Sequence, residues 1–80
     1  MLNTRRNLYY IMDKEEERFV QGTHKYEYDT SFTGDIDYAF NTYNKERAFE
    51  ICQECNNVGM NVKVVIISVE YSMWNNNVEQ

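Results

Sequence analysis

Residues 44–71 read NKERAFEICQECNNVGMNVKVVIISVEY, and this stretch decides the fold. Its first half has a helical pattern. Asn44 is a favoured N-cap and Gly59 a favoured stop. At about 100° per residue, Ala48, Phe49, Ile51, Cys52 and Cys55 cluster on one face. Glu46, Glu50 and Glu54 fall almost opposite. The spacing predicts an amphipathic helix over residues 45–57. The second half changes period. Asn61 to Tyr71 is rich in β-branched residues and reads as a long strand. Its middle is apolar on both sides, with Val64 and Ile66 on one and Val65, Ile67 and Val69 on the other. That pattern predicts a central strand covered on both faces.

Upstream, Asn7 to Asp13 alternates aromatic and aliphatic residues and predicts an opening strand. The charged run Lys14-Glu15-Glu16-Glu17 is a turn, and Arg18-Phe19-Val20-Gln21 returns, ended by Gly22. Lys25 to Asp29 alternates at period two and reads as a short strand or extended loop. Asp35 to Phe40 fits one helical turn, with Ile36, Ala39 and Phe40 facing the core. The expected architecture is an α+β fold in the order β-β-(β)-α-β. A single helix packs on a three- to four-stranded, mainly antiparallel sheet. Residues 1–80 form one domain, with a frayed tail over 75–80.

One helix covers one face of such a sheet, yet the first and last strands present apolar residues to both. The aromatic segment Tyr26–Phe40 can fold over the second face. Otherwise a second copy of the chain or a foreign protein covers it, and a homodimer is one expected outcome.

Composition narrows the function classes. Thirteen acidic against eight basic residues leave a net charge of −5, which argues against direct nucleic-acid binding. The N-terminus lacks the apolar core of a signal peptide, and no run approaches the ~18 residues of a membrane span. The expectation is a soluble, cytoplasmic protein without membrane contact. Cys52 and Cys55 form a Cys-x-x-Cys pair, but His24 is the sole histidine and zinc needs four ligands. Both cysteines lie well inside the helix on its apolar side, so two buried thiols are expected. Asp35-x-Asp37 suits a turn and cap better than a metal site, and His24 suits a loop. No catalytic signature, cofactor motif or phosphate-binding glycine loop stands out, so the chain is read as non-enzymatic and without a cofactor.

The negative charge belongs to residues 13–54, which carry −6. Glu46, Glu50 and Glu54 repeat at every fourth helical position, a spacing of like charges that does not help the helix. With the loop acids Asp35 and Asp37 and the neighbouring Tyr38 and Tyr43, they make a surface that can imitate nucleic-acid phosphates. These seven residues are the candidate partner-binding set, and the partner is a protein with a basic surface. A nucleotide-sequestering dimer is the alternative, and it requires Arg5, Arg6, Arg18, Lys25 and Arg47 to converge on one pocket. A structural homodimer is the third.

With the segments placed, a layout emerges. An opening strand, Tyr9-Tyr10-Ile11-Met12-Asp13, is followed by a charged turn and Arg18-Phe19-Val20. Phe32-Thr33-Gly34-Asp35-Ile36, Ala39-Phe40-Asn41-Thr42, a helix bearing Ala48-Phe49-Glu50-Ile51-Cys52 and a Val/Ile-rich closing strand complete it. Over residues 8–71 this resembles the short early proteins of phages and mobile elements. Compact acidic members of that group resemble anti-defence proteins, including anti-CRISPR inhibitors. The resemblance implies a non-catalytic inhibitor that binds a bacterial nuclease complex.

Overall fold

Two long antiparallel strands carry the sheet. The computed structural model describes residues 2–73, and the tail expected over 75–80 lies outside them. Strand β1 (Leu2–Asp13) pairs with β5 (Val62–Met73) without interruption, from Leu2 opposite Met73 to Asp13 opposite Val62. The other edge of β1 is shared. β2 (Phe19–Gly22) joins it where Phe19 faces Met12, and β4 (Asn41–Thr42) joins it at Tyr9 and Tyr10. β3 (Tyr28–Thr33) extends the sheet beyond β2. The result is an α+β fold with one helix, α1 (Lys45–Asn57), on a five-stranded antiparallel sheet. The fifth strand is the two-residue β4, too short to leave a period-two pattern.

Residues 39–42 are wedged between β1 and β2. Gln21 bridges Ala39, and the Phe40 N–H donates to the Val20 carbonyl at 2.9 Å. The approach is close at Gly22, where a Cβ would crowd the Phe40 backbone at 3.2 Å.

Residues opposite one another in an antiparallel ladder share a face. Tyr9, Ile11, Val62, Val64 and Ile66 therefore point to one side of β1 and β5, and Leu8, Tyr10, Met12, Val65 and Ile67 to the other. The helix covers the first. Ile51, Cys52 and Cys55 form the core with Ile11, Val20, Phe40 and Val62, and Tyr28, Phe32, Met60 and Val64 pack around it. The helix begins at Asn44, whose Oδ1 accepts from the Arg47 N–H at 3.1 Å, and ends before Gly59, at φ 98°. Asn56 ties the helix to β5 in both directions. Its Nδ2 donates to the Val62 carbonyl at 3.1 Å and its Oδ1 accepts from the Val62 N–H at 2.8 Å.

Three expectations change. Phe49 is half exposed and outside the core. The buried stripe is Ala48, Ile51, Cys52 and Cys55, and Phe49 lies about 60° beyond Cys52 around the helix. Ile36 is likewise exposed, since the turn at Ile36–Tyr38 is 3₁₀ and only Ala39 and Phe40 turn inward. β5 is not a central strand. Its partner among the described strands is β1, and Ile66 and Ile67 in its apolar middle remain 56% and 37% exposed.

The second sheet face is only partly closed. Tyr10 is buried there, with the Phe19 ring 5.5 Å away, while Leu8, Met12 and Val65 are half-buried. The segment Tyr26–Phe40 mostly widens the sheet as β3. From this segment the charge of Asp37 reaches Tyr10 and adds to burial in raising that phenol.

Candidate interaction surface

The helical glutamates divide into two groups. Arg47 lies three residues before Glu50 and seven before Glu54, on the same side of α1. Its Nη1 meets Glu50 Oε1 at 3.0 Å and Glu54 Oε2 at 3.7 Å. Its Nε donates to both carboxylate oxygens of Glu27 at 3.0 and 3.2 Å, and Nη2 also contacts Glu27. The Tyr28 hydroxyl donates to Glu54 Oε1 at 2.5 Å. One guanidinium thus binds three carboxylates. It holds Glu27 below the usual carboxylate range, while the hydrogen bonds that Arg47 donates to Glu27 and Glu50 raise Arg47 itself. The hydrogen bond to Glu54, with burial second, pushes the Tyr28 phenol up to about 12.

Glu50 and Glu54 are therefore engaged by the chain's own side chains, not presented as bare charges. Glu46 stands apart from this network. It sits in the first turn of α1, where the positive end of the helix dipole favours it.

The loop acids occupy a different place. Asp35 caps the 3₁₀ turn, its Oδ1 accepting from the Asp37 N–H at 2.9 Å. Asp37 and the 66%-exposed Tyr38 line an open groove of about 670 Å³. His24 and Glu27 also line it, from the loop between β2 and β3. That loop is closed by Thr23, whose hydroxyl accepts from the Tyr26 N–H at 2.8 Å. Tyr43 is half exposed and carries the Arg6 guanidinium 5.6 Å from its ring centroid. Of the seven residues chosen from the sequence, Asp37 and Tyr38 share the groove. Asp35 adjoins them, Glu46 and Tyr43 lie at the start of α1, and Glu50 and Glu54 belong to the Arg47 network.

Glu27, His24 and Arg47 were not among the seven. The i, i+3 and i, i+7 spacing of Arg47 to Glu50 and Glu54 was a usable signal for the ion pairs. Nothing local marked Glu27, which is brought to the helix by the β2–β3 connection.

The described basic side chains do not converge, and the Arg5 side chain lies outside the described residues. Arg18 Nε donates to the buried Asp13 at 2.8 Å and its guanidinium lies 4.2 Å from the Phe32 ring centroid. Asp13 also accepts from the Glu15 N–H, and these two bonds, the backbone one first, hold its carboxyl low. Lys25 stands over the Tyr26 ring and Arg47 on its glutamates, so no shared cationic pocket forms among the described residues. Cys52 and Cys55 are free buried thiols; burial raises both, Cys55 to about 11. Among the described residues, no three His, Cys, Asp or Glu side chains are grouped to hold a metal ion, and no helix is long and apolar enough to cross a membrane.

Compared with known proteins, the chain matches no family model, no curated protein and no solved structure.

Proposed function

We propose that this chain is a non-enzymatic inhibitor of the phage-encoded type. It docks on a basic surface of a bacterial defence protein, such as a nucleic-acid-binding nuclease complex. The observation that carries the reading is the groove rim, where exposed Asp37 and Tyr38 face His24 and Glu27 on a chain of net charge −5. Asp37 makes no ion pair among the described residues, so its charge is available to a partner. An exposed tyrosine beside it offers contact area at low entropic cost, as binding hot spots do. Net negative charge speeds the approach to a basic groove, and salt slows it. The class of partner is taken from the resemblance of the sequence layout to phage-type anti-defence proteins. The Arg47 network moves the expected contact from Glu50 and Glu54 to the rim, with Asp35 and Glu46 flanking it.

The test is association with a purified CRISPR effector nuclease complex, followed by surface-immobilised kinetics at about 50 and 300 mM salt. The expected result is binding whose on-rate falls with salt. D37K and Y38A each weaken it tenfold or more, while E50Q changes it little. Binding that is indifferent to both D37K and Y38A rejects the rim as the contact, and no binding to nuclease complexes rejects the partner class.

A further inference from the structure

Among the described strands β5 pairs on one side only, with β1, and the alternation of the strand shows which groups its outer edge exposes. The Asn61 carbonyl accepts from the Lys14 N–H at 2.9 Å, so odd-numbered residues of this segment turn their backbone groups toward β1. Val62 turns both its N–H and its carbonyl away, to Asn56. The period of two then aims the N–H and carbonyl of Val64, Ile66 and Ser68 outward, where no described residue meets them. The register with β1 has no bulge here, and the sequence places no proline on the strand. These are the usual means of blunting an edge.

We propose that this edge is filled by a second copy of the same strand, giving a two-fold dimer with a continuous ten-stranded sheet. The three outward residues are symmetric about Ile66, so β5 complements itself. In an antiparallel pairing centred there, Ile66 faces the second copy's Ile66, and Val64 faces its Ser68. Each such pair exchanges two backbone hydrogen bonds. The non-bonded positions between them place Val65 opposite the second copy's Ile67. The exposed Ile66 is thus covered by its own counterpart on one face, and the exposed Ile67 by the second copy's Val65 on the other. No charge falls within the paired segment. The two Lys63 residues end about 20 Å apart along the strands, beyond the screening length at physiological salt. Asn56 ends the ladder by occupying Val62. This inference is independent of the groove and its partner.

A ladder of this length buries less than a standard interface, so a weak dimer in the micromolar range is expected. Sedimentation over about 5 µM to 1 mM should therefore show a monomer becoming a dimer. Ile66→Pro removes an outward N–H without touching the bonds to β1, a position where edge strands accept proline. It should raise the dissociation constant at least tenfold with the circular dichroism spectrum unchanged. Ile66→Lys, which sets two charges on the axis, should do the same, and Val58→Lys, at an exposed position after the helix, should leave the dimer intact. Amide exchange at Ile66 should slow as concentration rises. A monomer at 1 mM, or a dimer unaffected by both Ile66 variants, overturns the proposal.

Discussion

Tyr28 shows how a single hydrogen bond writes a pH dependence. Its hydroxyl donates to Glu54, so the neutral phenol is the form that the fold favours. The folded value of about 12 lies above the ordinary 10.0. The bond therefore contributes fully below pH 10 and is lost as the pH rises toward 12. An absorbance titration of the phenolates should show late tyrosines, since Tyr10 is also raised, and Tyr28→Phe should remove one of them. The stability gap between the two proteins, read as melting temperature, should close over the same interval. Arg47 teaches a related lesson. Its spacing to Glu50 and Glu54 was legible in the sequence, and it tempers the like-charge cost of those glutamates. Its strongest partner, Glu27, was not legible, because it comes from a connection 20 residues upstream.

At the scale of elements, α1 was the most readable part of the chain. Its cap, its stop and the stripe Ala48, Ile51, Cys52 and Cys55 are local properties that propensity and period reveal. Strand edges are not local. The apolar middle of β5 spoke for burial, but which strands flank it depends on pairing with β1, more than 45 residues away in sequence. Residues 3–6 had no strand signal of their own, being polar, and they join β1 because β5 continues opposite them. The link between helix and strand is Asn56, whose carboxamide satisfies both backbone groups of Val62, itself 1% exposed. Asn56→Ala should leave that buried donor unmet, with only the Cys52 thiol, 3.5 Å away, still donating to the carbonyl, and cost about 1–3 kcal/mol in urea unfolding. Asn56→Asp keeps the acceptor for the Val62 N–H but turns a carboxylate oxygen toward the Val62 carbonyl, and should not restore the loss.

As a whole molecule the protein is elongated. Its radius of gyration is 15.2 Å and its extents are 50 × 26 × 21 Å. A compact domain of this length has a radius near 12 Å. The excess belongs to the β1–β5 ribbon, which runs on past the part flanked by β4, β2 and α1. Stability should be graded along it. Native-state hydrogen exchange should be slowest at Tyr9–Met12, which strands border on both sides, and faster from residue 6 toward residue 2. Uniform protection along β1 would contradict this. The candidate surface has the same global character. Asp37 and Tyr38 could be named from the sequence, but the groove that gives them a common direction exists only where the β2–β3 loop meets the turn before β4.

The pairing of residues 2–13 with residues 62–73 also sets the order of events during synthesis. β1 leaves the ribosome early, yet it cannot complete its longer ladder until the last strand has been translated. Helix α1 likewise waits for Val62, the strand residue it grips through Asn56. Contacts so distant in sequence close slowly, and partly made sheets are prone to aggregate. The nascent chain is thus expected to stay unfinished until residues 62–73 emerge, and then to fold in one cooperative step.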